Sequence, residues 1–129
     1  MLTMEKIIAD VRALAAKYPN AVYSSDGQCC YTMGAVENGP EKCGCIFGQV
    51  LTENGIDIKE VEVRGVFKYA VEGIGHMPTI IPLIEAKIPD ICIEIKEQDW
   101  CGAVQRHQDA GRTWGQAVEY ADRFFGRQK

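Results

Sequence analysis

Between Met4 and Tyr18 the apolar side chains fall at Ile7, Ile8, Val11, Leu14, Ala15 and Tyr18. This three-and-four spacing lines one face of an α-helix and fits no strand. A stripe of that kind has to be buried, so the amino end must pack against other elements. Thr3 is placed to accept from a free N–H of the first turn, and Pro19 with Asn20 ends the run. The carboxy end repeats the pattern. One helix passes through Trp100, Ala103, Val104 and His107 and stops at Gly111. The next carries Trp114, Ala117, Val118, Ala121 and Phe125, headed by Thr113, whose spacing to Gln116 fits a reciprocal capping box.

The middle of the chain is less uniform. A helical run opens near Glu41, carries Cys43, Ile46, Phe47, Val50 and Leu51 on one face, and stops at Asn54-Gly55. Gly44 and Gly48 lie four apart on another face. Glycine inside a helix costs ~1 kcal/mol relative to alanine, so the pair predicts a close approach of backbone or ligand, with close packing the plainer reading. Val22, Tyr23, Cys30, Tyr31 and Thr32 flank an Asp26-Gly27 turn and predict a short hairpin that leans on a helix. Asn38, Gly39 and Pro40 mark a loop. Ile56, Ile58, Val61, Val63 and Val66 alternate as in a strand, while Val66 to Val71 also suit a helical turn. Thr79 to Lys87 predicts a short helix with Pro82 in its first turn. Ile91 to Ile95 reads either as a buried strand or as a helix start capped by Asp90. The expectation is one domain over residues 1–129, mainly α (an α+β class), with four to five helices and a small β-hairpin.

Composition narrows the function classes. The 129 residues are 47% hydrophobic and 25% charged, with a net charge of -4, so no positive field recommends nucleic acid or an anionic membrane. Glu5 and Asp10 interrupt the apolar stretch that an export signal needs. Cys43 to Thr52 and Gly73 to Ile84 fall short of the ~20 residues that cross a bilayer. These features point to the cytoplasm, where six cysteines are expected as thiols.

Three constellations invite chemistry. Cys29-Cys30 with Cys43-x-Cys45 brings four thiols into a short span, but adjacent and one-apart cysteines chelate zinc poorly, so core packing is preferred and no metal is assigned. Cys101 and His107 sit six apart, which on one helix separates them by ~120° and ~9 Å, too far for a nucleophile–base pair. Glu94, Glu97 and Asp99, and Glu60 with Glu62, read as solvated faces. No phosphate loop, zinc-protease or nucleophile-elbow motif occurs, and no cofactor is called for. A small-ligand or enzymatic reading would line a pocket with Cys43, Cys45, Gly44 and Gly48. A zinc-stabilised nucleic-acid module is the third reading. From Gln105 onward, Arg106, Arg112, Arg123, Arg127 and Lys129 oppose Asp109, Glu119 and Asp122, a balance of +2 against -6 for the rest, which permits such a contact without demanding it.

At Cys45-Ile-Phe-Gly-Gln-Val-Leu51, and at Val104-Gln-Arg-His-Gln-Asp-Ala-Gly-Arg-Thr-Trp-Gly-Gln-Ala-Val118, the chain resembles small uncharacterised proteins of actinobacteria and their phages. The resemblance implies a cytosolic setting, in the host cytoplasm if phage-encoded, and a phage accessory role. It transfers no catalytic residue. Tryptophan and arginine are enriched among the anchors of protein interfaces, so Trp100, Gln105, Arg112 and Trp114 are the candidate contact patch, provided a tryptophan is partly exposed. The leading expectation is a small non-enzymatic binding protein that engages a host protein or associates with itself.

Overall fold

The computed structural model describes residues 2–24, 35–41, 44–56 and 80–126. Their order is α1 (Met4–Lys17), β1 (Val22–Ser24), β2 (Ala35–Glu37), α2 (Ile46–Glu53), α3 (Ile80–Lys87), α4 (Ile95–Asp109) and α5 (Trp114–Phe125). Among the described residues this is the expected mainly helical architecture: five helices and one antiparallel strand pair.

Helix α1 forms as its stripe requires. Thr3 Oγ1 accepts from the Lys6 N–H at 3.2 Å, and Met4, Ile7, Val11 and Ala15 are buried. Strand β1 pairs with β2 in the register Val22↔Glu37, Tyr23↔Val36 and Ser24↔Ala35. The second strand therefore lies later than the Cys30–Thr32 expected from the Asp26-Gly27 turn, which itself falls outside the described residues. Tertiary packing sets this register. Tyr23 is buried and Val36 is half-buried against the core. Gly39 closes the pair, since a Cβ there would stand 2.5 Å from Val36 Cγ1 and 3.1 Å from Ala21 Cβ.

Helix α2 begins later than expected. Gly44 holds φ 107°, a left-handed conformation that breaks a helix, so the first turn starts at Ile46 behind Cys45. Gly44 and Gly48 thus do not share a helical face. The helix ends at Asn54, and Gly55 takes φ 81°, as anticipated. Helix α3 carries Pro82 at its third position, where no intrahelical donor is lost. Ile91 to Glu94 belong to no strand, and α4 is preceded by Glu94 rather than Asp90, with the Glu97 carboxylate accepting the Glu94 N–H at 2.8 Å. The alternating segment from Ile58 to Val71, together with Cys29, Cys30, Cys43 and His76, lies outside the described residues.

Helices α4 and α5 form an antiparallel hairpin whose turn contains Gly111 at φ 93°. Thr113 and Gln116 make the expected reciprocal cap: Thr113 Oγ1 accepts the Gln116 N–H, and Gln116 Oε1 accepts the Thr113 N–H, both at 3.1 Å. The next two N–H groups, of Trp114 and Gly115, donate to the carbonyls of Ala21 and Pro19 at 2.9 and 3.0 Å. This seats the start of α5 on the link between α1 and β1. A Cβ on Gly115 would come within 2.8 Å of Pro19 O, so the close approach requires glycine. The core gathers Ile7 and Val11 of α1, Phe47 and Leu51 of α2, Leu83 and Ile84 of α3, and Trp100, Val104, Trp114 and Ala117 of the hairpin. Among the described residues no helix is long and apolar enough to cross a membrane.

Candidate protein-binding face

The structure corrects the expected contact patch. Trp100 is 2% exposed, Gln105 6% and Trp114 0%. Of the four residues only Arg112, in the turn between α4 and α5, is exposed. Each of the three buried side chains has a polar atom that finds a partner inside. The Trp100 indole N–H donates to Asp122 Oδ1 at 2.8 Å, and the Arg12 guanidinium, itself donating to that oxygen at 2.7 Å, lies 5.1 Å from the Trp100 ring centre. The Trp114 indole N–H donates to Gln108 Oε1 at 3.2 Å, and the same oxygen accepts the Ile46 N–H at 2.7 Å. Gln105 Oε1 accepts the Ile80 N–H at 3.0 Å. Gln105 and Gln108 are three apart, hence on one face of α4. They satisfy the leading N–H groups of α3 and α2, donors that a helix cannot satisfy internally. These glutamines and tryptophans are a polar lattice within the core.

The cysteine-lined pocket is not assembled by the described residues. Cys45, Gly44 and Gly48 are buried at the start of α2, where Gln49 Nε2 donates to Gly44 O at 3.0 Å, and Cys43 lies outside the described residues. Cys101 is fully buried, and burial, aided by the Glu97 carboxylate, pushes its thiol pKa up to about 12. That thiol is not a thiolate nucleophile at neutral pH. Among the described residues no group of three His, Cys, Asp or Glu side chains is placed to hold a metal ion.

The outer face of the same hairpin is built differently. His107 packs on Tyr120 with ring centres 3.9 Å apart, and Tyr120 packs on Phe124 at 4.7 Å, both pairs tilted by about 40°. Tyr120 is 37% exposed and Phe124 58%. Among the described residues, buried Nδ1 of His107 has no hydrogen-bond partner. Desolvation, then the charges of Arg112 and Arg106, hold the His107 pKa below its ordinary value. Arg106 and Arg112 are exposed, and among the described residues neither forms an ion pair, whereas Arg12 is held by Asp122 and Arg123 lies 3.7 Å from Glu119. Sequence reasoning passed over Tyr120 and Phe124. The available signal was two large aromatic residues one helical turn apart, set outside the Trp114–Ala117–Ala121 stripe.

Two grooves offer less. One of about 930 Å³ between α1 and α2 is bordered by Lys6, Asp10, Lys17, Glu41, Glu53 and Asn54. Its charges serve one another: Asp10 accepts from Lys6 at 2.7 Å and Asn54 at 2.9 Å, contacts that hold its carboxyl below the usual range. The other, about 360 Å³, lies beside Arg12 and Trp100, where Asp122 already engages the guanidinium. Comparison with protein-family models, with curated proteins and with solved structures found no match to this chain.

Proposed function

We propose that this chain is a small non-enzymatic binding protein that engages a host protein, or a second copy of itself, through the outer face of the α4–α5 hairpin. One observation carries the reading: a continuous His107–Tyr120–Phe124 ladder lies on the outer face of a hairpin whose two tryptophans are buried. Aromatic side chains deliver much contact area with few rotatable bonds, which suits them as interface anchors. Covering the exposed part of Phe124 would contribute on the order of 1–2 kcal/mol. The resemblance of Cys45–Leu51 and Val104–Val118 to actinobacterial and phage proteins supports a setting in a bacterial cytoplasm and an accessory role there.

The test pairs light scattering after size exclusion with retention of partners from host lysate. Wild-type protein is expected to self-associate or to retain a partner, and the Tyr120→Ser/Phe124→Ser variant to lose it. Unfolding free energy of that variant should fall by about 1–3 kcal/mol, the worth of the two ring contacts it loses, with far-UV circular dichroism showing it still folded. A monomer that retains nothing, or retention indifferent to both substitutions, overturns the reading.

A further inference from the structure

Resting on the docking face proposed above, we infer that its partner is an acidic, amphipathic peptide segment of another protein, with an apolar side chain against Tyr120 and Phe124 and carboxylates on Arg106 and Arg112. Arg112 donates its backbone N–H to His107 O at 3.1 Å and Arg106 immediately precedes His107 on α4; both side chains are exposed, and among the described residues neither guanidinium forms an ion pair. Arg12 and Arg123, in contrast, already face carboxylates. Guanidinium groups pair with carboxylates in two parallel hydrogen bonds, giving orientation as well as attraction. In the sequence, residues 105–129 carry +2 against -6 for the rest, so an acidic segment meets less repulsion at this end of the chain than elsewhere.

Two other occupants fit less well. A two-fold dimer through this face would bring Arg106 and Arg112 of both copies into one interface, since such an interface presents the same patch from both sides. Single-stranded nucleic acid needs free ring faces on which bases stack, but here the rings use their faces on one another at 3.9 and 4.7 Å. A segment with spaced apolar anchors and intervening acids uses both features, in the manner of helix-in-groove recognition.

The experiment selects a yeast-displayed library of random peptides, roughly 12 residues long to span two or more helical turns, on the intact protein. Selected peptides are then measured by fluorescence anisotropy beside oligo(dT). The expected result is enrichment of Asp and Glu around an aromatic or leucine anchor. Affinity should fall at least about tenfold in Arg106→Glu/Arg112→Glu, and Lys-substituted peptides should regain binding to that variant. Far-UV circular dichroism confirms that the variant is folded, and recovery with the charge-swapped peptides is an independent readout. Neutral or basic peptides lost on Tyr120→Ser/Phe124→Ser overturn the acidic partner and leave the docking face standing. Peptides indifferent to Tyr120→Ser/Phe124→Ser overturn the docking face itself, and no enrichment overturns both. Oligo(dT) binding lost in the charge-reversed variant replaces the peptide with nucleic acid.

Discussion

The two sides of α4 obey opposite rules. On its inner side Trp100, Gln105 and Gln108 are buried, and their polar groups meet Asp122, the Ile80 N–H, and the Ile46 N–H with the Trp114 indole. On its outer side His107 has a buried Nδ1 with no partner among the described residues and packs on Tyr120, which packs on Phe124. A buried polar group without a partner costs roughly 1–3 kcal/mol, so the inner side is arranged for stability. The outer side instead carries exposed apolar area and an imidazole nitrogen with no partner among the described residues.

This contrast is broken most forcefully at Trp114. Trp114→Ala should lower unfolding free energy by about 3–5 kcal/mol in urea titration, through lost packing and cavity formation. A loss below ~1 kcal/mol would remove it from the core. Gln108→Leu comes next: it keeps bulk but orphans the Ile46 N–H and the Trp114 indole N–H, for a loss of about 2–4 kcal/mol, and Gln105→Leu, which takes the acceptor from the Ile80 N–H, should cost about 1–3. A loss below about 0.5 kcal/mol for either would show that its side-chain oxygen does not hold the start of the helix it meets. Gly115→Ala should cost about 1–2 kcal/mol, because the clash with Pro19 O outweighs the gain in helix propensity; a more stable variant would show that α5 is not seated on the Pro19–Ala21 link.

The smallest effect sharpens the outer side. The His107 pKa lies below the ordinary 6.5, held there by burial and by Arg112 and Arg106, with Tyr120 packed on the ring. As pH falls, the unfolded chain takes up the proton first. The histidine's contribution is therefore complete above about pH 6.5 and declines below it until the folded pKa is passed. Melting temperatures followed from about pH 7.5 to 5.5 should drop more for wild type than for His107→Gln. Parallel curves would show that His107 gains its proton as easily in the folded protein.

Local signals were legible in particular residues. Thr3, Thr113 with Gln116, Gly55 and Gly111 each act within one turn of the backbone, and each terminates or caps a helix as its chemistry demands. The same locality explains the failures. Asp26-Gly27 favours a tight turn, yet Tyr23 pairs with Val36, and Gly44 reads as helical until its φ of 107° is seen. The candidate site fared worst. Indole and guanidinium groups serve cores and interfaces alike, so the sequence around Trp100 and Trp114 could not reveal which way they face, while Tyr120 and Phe124 stood one position away from the buried stripe.

The sequence by itself determined that the chain is helical at both ends, where α1 and α5 start, where α4 stops, and that the last two helices fold back on each other. Apolar period, caps and turn residues act over a few bonds. Only the tertiary structure decided that two glutamines cap other helices and that both tryptophans are buried. It also decided that the aromatic surface lies on His107, Tyr120 and Phe124. Those outcomes depend on groups brought together from distant positions, such as Gln108 with Ile46 at 2.7 Å, and burial of a polar side chain is favourable only where such a partner arrives.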